Sequence, residues 1–315
     1  MTSALAQMGH LAGREQAIRS IAFLTVPVLD MTAARDFYGR ALGLEAVASD
    51  LVANFDRHSV MRMASGQWLI LTAPQGPDTH DTGVHHAFRV SPSAHAKIAA
   101  NLAAEKIAIH SYREDRVQEV EDNCYFLDRD GNRLQLVKAV TAKPSQAVHS
   151  IDHTVVLSYD MLWSESFYAD DLKFPVESRV GIRTADHSRA RRWAAGEEAM
   201  APGTRRLDKL YMTMGGQNEV PRANMQVYYQ AGESVFGVYL SVTHRQEPPE
   251  DQAIGSPRTG FWTTHSELDR IADSLQRRHR VFQGPIRHPA SSLIAESLYC
   301  KDTSGNFLEF CVPRQ

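Results

Sequence analysis

The chain contains two copies of one pattern, in which alternating apolar positions give way to helical spacing. Residues 21–45 and 151–175 each start with apolar residues at every second position, which predicts a half-buried strand. An Asp or Thr then precedes a Phe-Tyr pair and a Leu, which predicts a capped helix with one apolar face. The matching pairs, 130 positions apart, are Asp30 with Asp160, Phe37 with Phe167, Tyr38 with Tyr168 and Leu42 with Leu172.

A second repeated pattern closes each half of the chain. Residues 125–136 and 299–310, which are 174 positions apart, each read as a strand, an Asp-x-x-Gly-Asn turn and another strand. Gly and Asn accept the positive φ that such a turn needs. A strand followed by a helix precedes each of these segments. The two repeats together predict four strand–helix–three-strand modules, near residues 20–74, 84–138, 150–243 and 257–312.

The order of the modules predicts an α+β protein of two domains, each built from two consecutive modules. After an N-terminal tail at 1–18, the first domain covers residues 19–138 and the second covers residues 150–315. The polar stretch 139–149 predicts the linker between them. Residues 176–222 are rich in Arg, Ala and Gly with weak periodicity, which predicts an insertion in the third module.

Composition and charge exclude several classes of protein. The 315 residues are 43% hydrophobic and carry a net charge of −3, so a nucleic-acid or membrane partner is not expected. Three cysteines are too few for a disulfide framework or a Cys-based zinc site. The longest apolar runs have strand length, and residues 1–18 lack the apolar core of a secretion signal. We therefore expect a soluble cytoplasmic protein.

The repeated motifs resemble those of the vicinal oxygen chelate superfamily, which includes glyoxalases, epimerases, fosfomycin-resistance proteins and type I extradiol dioxygenases. The shared motifs are FY-x-x-x-LG after the first strand of a module and D-x-x-GN-x-x-E at its close, and the resemblance covers residues 20–312. It implies curved mixed sheets that pair into half-barrels with helices outside. The central cavity of such a half-barrel usually holds a divalent metal in this superfamily.

The resemblance also implies where metal ligands lie, namely on the first and last strands of the modules. In the first domain these positions hold Phe23, His85 and Gln135. Phe cannot bind a metal and a neutral amide is a weaker ligand than a carboxylate for a hard ion, so we expect this domain to be metal-free. His85 is then expected to line a vestigial cavity and to satisfy polar groups there.

In the second domain the corresponding positions hold His153 and Glu309, which we expect to face each other across the functional cavity. No His stands at the middle position, residues 258–260, so Tyr239 is the candidate third ligand, with His244 as a further residue to check. A lone His on a strand also has a plain reading as a hydrogen-bonded core residue. The buried Glu309 requires a partner, which can be a metal, His153 or an Arg.

Residues near the C-terminus resemble the extradiol dioxygenase signature, although the His-to-Tyr gap is longer and Thr303 replaces a Pro. The match implies that Tyr299 hydrogen-bonds a substrate oxygen and that His288 lines the pocket. His244 would then be an acid–base residue, since a His has a useful pKa near neutrality. The alternatives are that Tyr299 is a strand aromatic and that both histidines are loop residues.

Three functions follow from the resemblance. The first is a metal-dependent dioxygenase that cleaves a catechol-like aromatic small molecule, with Fe(II) favoured over Mn, Zn, Ni or Mg. The second is a lyase or isomerase of the glyoxalase or epimerase type, with a divalent metal as Lewis acid. The third is a non-enzymatic small-molecule-binding protein. The aromatic strand 224–230 and Trp262 can line the cavity or belong to the core, and a homo-oligomer is expected.

Overall fold

Each of the four modules predicted from the sequence forms four strands and a helix. The computed structural model describes residues 20–47, 58–73, 85–110, 123–139, 147–158, 161–180, 226–240 and 258–314. The first module contains β1 (Ser20–Pro27), α1 (Met31–Leu42), β2 (Glu45–Val47), β3 (His58–Arg62) and β4 (Trp68–Thr72). The second contains β5 (His86–Val90), α2 (Pro92–Ala104), β6 (Ile109–His110), β7 (Asn123–Leu127) and β8 (Arg133–Lys138).

The second half of the chain repeats this order. The third module contains β9 (Ser150–Ser158), α3 (Met161–Glu165, continued as a π-helical turn at Ser166–Asp171), β10 (Val176–Val180), β11 (Gln226–Ala231) and β12 (Ser234–Leu240). The fourth contains β13 (Arg258–Trp262), α4 (His265–Arg277), β14 (Phe282–Arg287), β15 (Ile294–Lys301) and β16 (Phe307–Pro313). The four predicted modules and the α+β class are confirmed. Residues 176–180 of the predicted insertion form β10, and residues 181–225 lie outside the described residues.

The modules pair differently from the prediction. The first and fourth modules form one sheet, in the order β14-β15-β16-β13-β1-β4-β3-β2, which we call sheet I. The second and third modules form sheet II, in the order β10-β11-β12-β9-β5-β8-β7-β6. In both sheets the two modules meet through their first strands, which run antiparallel: β1 with β13, and β5 with β9.

The expected pairing of consecutive modules within one sheet is therefore wrong. Sheet II crosses the predicted linker, and each sheet combines strands from both halves of the chain. The physical reason is that periodicity records which face of a strand is buried. It carries no information on which distant strand supplies the hydrogen bonds along its edge.

Consecutive modules are joined instead by the two motifs that repeat in the sequence. Tyr38 on α1 donates a hydrogen bond of 2.6 Å to Asp128 Oδ2, in the turn between β7 and β8. Asn132 closes the same turn by donating from Nδ2 to Asp128 and to the carbonyl of Pro27, at the end of β1. We call this group the first clasp. It fixes the second module against the first, although the two modules lie in different sheets.

The second clasp repeats these contacts between the third and fourth modules. Tyr168 donates to Asp302 Oδ2 at 2.7 Å, and Asn306 Nδ2 donates to Asp302 and to the Leu157 carbonyl. Burial raises the pKa of Asp302, while the hydrogen bonds from Asn306 and Tyr168 lower it in part. The Phe-Tyr and Asp-x-x-Gly-Asn motifs are thus structural, since they satisfy a buried carboxylate at each junction.

Capping residues set the limits of α1 as the sequence predicts. Asp30 accepts hydrogen bonds from the backbone N–H groups of Thr32 and Ala33, which otherwise have no partner in the first turn. Gly43 ends the helix with φ of 71°. In the second copy Lys173 occupies this position with φ of 65°, and Asp160 lies outside the described residues.

One hydrophobic core connects both sheets with the helices. Its buried members include Leu24 of sheet I, Phe88 of sheet II, and Ile98 and Leu268 of helices α2 and α4. Among the described residues, none of the helices is both long and apolar enough to cross a membrane. The opposite face of each sheet points away from this core, and the chemistry of the two faces differs.

Removing the hydroxyl of either clasp tyrosine should destabilise the fold. We expect Tyr38→Phe and Tyr168→Phe each to lower the free energy of unfolding by about 1–3 kcal/mol, because a buried carboxylate loses a donor. Urea unfolding measures the change. Asp36→Asn, on an exposed position of α1, is the control and should change stability by less than about 0.5 kcal/mol. A clasp variant as stable as this control would contradict the assignment.

Candidate metal centre

The face of sheet II that points away from the core gathers polar side chains around Ala87. Across the strands, Gln135 of β8 and His153 of β9 both stand opposite Ala87 of β5. His85 precedes β5 and lies two residues from Ala87, so it shares this face. The small Ala87 side chain leaves space between the two larger neighbours. The first and last strands of the second module and the first strand of the third module therefore meet at one place.

His85 and His153 are in direct contact at this place. Their Nε2 atoms are 2.9 Å apart, and the ring centres are 5.1 Å apart with the planes nearly perpendicular. Asp152 Oδ2 accepts a hydrogen bond of 2.8 Å from His153 Nδ1. Burial raises the pKa of Asp152, but the hydrogen bond from His153 and the nearby Arg89 more than offset this effect and lower it. The Asp152 carboxylate is therefore ionised beside His153.

Aromatic rings and hydroxyl groups surround the two imidazoles. The rings of Tyr125 and Tyr239 lie 5.6 Å and 6.3 Å from the His85 ring, centre to centre. The Tyr239 and Tyr228 hydroxyl oxygens are 2.8 Å apart, and Tyr228 donates its hydrogen to Gln226. Tyr239 must therefore donate to Tyr228. The site combines apolar ring surface with hydroxyl and amide oxygens, a lining that suits a small organic molecule.

The adjacent His86 belongs to different surroundings. Its Nδ1 lies 2.8 Å from the Thr154 hydroxyl. Burial lowers the pKa of His86 to about 4, so the ring is neutral near pH 7. The sequence pair His85-His86 therefore supplies one residue to the site and one to the opposite face of sheet II.

The convergence of His85 and His153 fits a metal ion. Two imidazole nitrogens bound to one ion at about 2.0–2.1 Å stand about 2.9 Å apart at a right angle and about 3.3 Å apart in a tetrahedral site. The observed separation of 2.9 Å, which is also that of a hydrogen bond between the two rings, is close to these values. Among the described residues no three His, Cys, Asp or Glu side chains cluster. The Gln135 amide and the Tyr239 hydroxyl are therefore the oxygen donors that can complete the set.

The equivalent face of sheet I is closed by an ion pair. Gly260 takes the place of Ala87, with Phe23 opposite it on one side and Glu309 on the other. Arg258 takes the place of His85, and its Nε lies 2.6 Å from Glu309 Oε2. Both side chains are almost wholly buried, at 1% and 0% exposure. The guanidinium supplies the positive charge that a carboxylate needs when it is removed from water.

Aromatic packing fills the rest of this face. A Cβ on Gly260 would lie 2.2 Å from the Phe23 ring, so only glycine allows the ring to cover β13. The Arg258 guanidinium lies 5.7 Å from the centre of the Phe23 ring and 5.2 Å from that of Tyr299. Trp68 and Ile70 join Phe23 in a second apolar cluster. The face is thus packed as a core.

The other predicted residues near Glu309 belong to the same closed group. The Ser297 hydroxyl donates its single hydrogen to Glu309 Oε1 at 2.6 Å. His288 Nε2 lies 2.8 Å from the same hydroxyl oxygen and must therefore be the donor of that hydrogen bond. Burial lowers the pKa of His288 and raises that of Tyr299. Tyr299 is buried opposite Glu309 on the neighbouring strand. These contacts agree with the plain reading of Tyr299 as a strand aromatic.

The structure does not bring His153 and Glu309 together. They lie on different sheets, and the partner of Glu309 is Arg258 rather than His153. His153 shares its sheet face with Tyr239, as expected, but also with His85 and Gln135, which we expected in a separate, metal-free domain. His244 lies outside the described residues.

The sequence contained a signal for Tyr125, a neighbour of His85 that was not predicted as a site residue. The 174-residue repeat aligns Tyr125 with Tyr299 and Gln135 with Glu309, and in the structure each Tyr stands opposite its partner on the next strand. The role that the extradiol signature implies for Tyr299 thus has an equivalent position at Tyr125. The pairing of modules then places His153 beside His85, the residue that Tyr125 contacts.

Comparisons with known proteins agree with this architecture. Residues 20–136 match the family model of the Glyoxalase/Bleomycin resistance protein/Dioxygenase superfamily. A candidate dioxygenase from Bacillus subtilis is 13% identical, with a TM-score of 0.63, over 95% of this chain and 86% of that one. Glyoxalase I from Zea mays is 12% identical, with a TM-score of 0.58, over 93% and 92%. These identities show a shared fold. A comparison with curated protein sequences gives no match.

Breaking the ion pair of sheet I should be costly, and a second substitution should reduce the cost. We expect Arg258→Met to lower the free energy of unfolding by about 3–5 kcal/mol, because Glu309 is then a buried charge without its cation. In Arg258→Met/Glu309→Gln the charge is removed while Ser297 keeps an acceptor. The double variant should therefore be the more stable of the two in urea unfolding. Equal stability of both variants would show that the charge of Glu309 does not matter.

Proposed function

We propose that the chain is a four-module member of the vicinal oxygen chelate superfamily and a metal-dependent enzyme whose centre is the polar face of sheet II. The observation that carries this proposal is the 2.9 Å contact between the Nε2 atoms of His85 and His153. Each residue lies at the first strand of its module, where the superfamily places metal ligands. Gln135, on the last strand of the second module, occupies a further ligand position.

The donor set indicates which chemistry the centre favours. His85, His153 and Gln135 would hold a divalent ion with neutral nitrogen and oxygen donors, a set that suits Zn or Ni better than Mg. The ion would supply Lewis-acid polarisation of a substrate oxygen. The chain itself would orient the substrate between the rings of Tyr125 and Tyr239. We therefore favour an isomerase, epimerase or lyase that acts on a small molecule.

Ring cleavage by a dioxygenase is the second candidate, with Fe(II) as the metal. The rings of Tyr125 and Tyr239 beside His85 favour it, because they offer apolar surface suited to an aromatic substrate. The facial triad of such enzymes contains two His and one carboxylate. Here the carboxylate position of sheet II holds Gln135, and the carboxylate of sheet I is paired with Arg258. This difference is why we place the dioxygenase second.

Metal content tests the location of the centre. We expect protein purified without chelator to hold about one divalent ion per chain, and His85→Ala and His153→Ala each to reduce this content at least tenfold. His265→Ala is the matched control, because His265 is an exposed His paired with Glu296 on sheet I. Glu309→Gln should also keep the ion. Elemental analysis measures the content; retention of the ion in both sheet II variants would refute the centre.

Oxygen uptake separates the two candidate reactions. We expect wild-type protein loaded with Fe(II), Zn or Ni to consume no oxygen above the free metal with a panel of catechols, since the centre lacks a carboxylate ligand. An oxygen electrode and the absorbance of ring-cleavage products measure this. Uptake that depends on protein and on His153 would instead establish the dioxygenase. Metal-free protein that binds a small molecule without turnover would support a binding protein and contradict both reactions.

A further inference from the structure

An irregularity in β9 brings a carboxylate to the back of His153. Neighbouring residues of a regular strand point to opposite faces, yet Asp152 and His153 are hydrogen-bonded to each other. The register explains this contact. His153 stands opposite Ala87 and Ile151 opposite Phe88, so Asp152 is an extra residue with no counterpart on β5. Such a bulge re-aims a side chain, and bulges are frequent beside active sites.

Arg89 holds the Asp152 carboxylate from the other side. Its Nε and Nη2 atoms donate to Asp152 Oδ1 at 3.0 and 2.8 Å, while Nη2 also reaches the carbonyl of Glu233 at 3.2 Å. Each carboxylate oxygen therefore has its own partner: Oδ1 accepts from Arg89, and Oδ2 accepts from His153. Arg89 thus holds one oxygen of the carboxylate and His153 holds the other, and the two contacts together fix the orientation of Asp152.

The orientation of Asp152 determines the tautomer of His153. The Asp152 carboxylate accepts from Arg89 at Oδ1 and from the His153 ring at Oδ2, so a His153 ring with a single hydrogen carries it on Nδ1. The lone pair is then on Nε2, the atom that lies 2.9 Å from His85 Nε2. With the hydrogen on Nε2 instead, the ring could neither donate to Asp152 nor offer a lone pair at the centre.

Sheet I contains the same irregularity without the carboxylate. The register of β1 against β13 shifts between Ile21 and Phe23, so Ala22 is the extra residue there. The 130-residue repeat aligns Ala22 with Asp152 and Phe23 with His153. The bulge is thus a property of the module, whereas the Asp-His pair occurs only in the sheet whose face is polar. Because the bulge forms in sheet I without an Asp-His pair, the pair is not needed to shape the strand, which favours a role for it at the centre.

We infer that Asp152, held by Arg89, is the positioning residue that fixes the tautomer and ring orientation of His153. The inference rests on the proposed function, because it assigns the His153 Nε2 lone pair to the metal centre. Arg89 stands two residues from Ala87 on the same face of β5, with its guanidinium hydrogen-bonded to Asp152 and to the Glu233 carbonyl. The effect of Arg89 and Asp152 passes through the hydrogen bond to His153 Nδ1.

The test compares Asp152→Asn, Asp152→Ala, Asp152→Glu and Arg89→Lys with wild-type protein. In the metal-free protein, ¹⁵N–¹H NMR of labelled histidines reports the tautomer. We expect wild-type His153 to be protonated at Nδ1 and Asp152→Ala to shift hydrogen to Nε2. We expect Zn²⁺ titration to show affinity about 10–100-fold weaker in Asp152→Ala and Asp152→Asn, with recovery in Asp152→Glu. Glu45→Gln, which breaks the exposed pair of Glu45 with Arg62, is the control and should change neither measurement.

The two proposals fail in different ways. If Asp152→Ala keeps the Nδ1 tautomer and wild-type Zn²⁺ affinity while His153→Ala loses the ion, the positioning role is overturned and the metal centre stands. If no variant, including His85→Ala, alters Zn²⁺ binding, the centre is overturned. A tautomer that shifts in Asp152→Ala would then still establish that Asp152 positions the His153 ring. Near-ultraviolet circular dichroism confirms that each variant is folded before it is used.

Discussion

The fold depends on two buried carboxylates, Asp128 and Asp302, each placed where one module meets the next. A carboxylate without partners is expensive to bury, yet each of these accepts from a tyrosine of the preceding module and from an asparagine of its own turn. The contact therefore forms only when two modules have the correct relative position. It joins a module of sheet I to a module of sheet II on each side of the shared core.

Different residues at a few equivalent positions make the outer face of sheet I closely packed and that of sheet II polar. In sheet I, Phe23, Arg258 and Glu309 fill the central positions with a ring and a neutralised ion pair. In sheet II the same positions hold His153, His85 and Gln135, which present nitrogen and oxygen atoms. The backbone of both faces is alike, including the bulge in β1 and β9. One face is thus closed by packing and a neutralised ion pair, and the other presents polar side chains.

Much of this could be predicted from the sequence, because periodicity and turn residues are local properties. The repeats at 130 and 174 residues predicted four modules and located the capping Asp30 and both Gly-Asn turns. His153 and Tyr239 were also predicted as members of one site, together with Glu309. The pairing of modules could not be predicted, since the choice between β13 and β5 as the neighbour of β1 depends on contacts between residues far apart in the sequence. That one choice separated His153 from Glu309 and joined it to His85.

The second and third modules pair with each other, and they lie in sequence between the first and fourth, which also pair. This order affects how the chain can fold during synthesis. Sheet II is formed by one continuous stretch, β5 to β12, so its strands can associate as soon as they leave the ribosome. Strand β1, by contrast, must wait for β13, whose first residue is Arg258. At roughly 5–20 residues per second this delay is about 10 s or longer. During that time one edge of β1, which carries the apolar Leu24 and Val26, lacks its hydrogen-bonding strand. The nascent N-terminal module is therefore exposed to pairing with another chain.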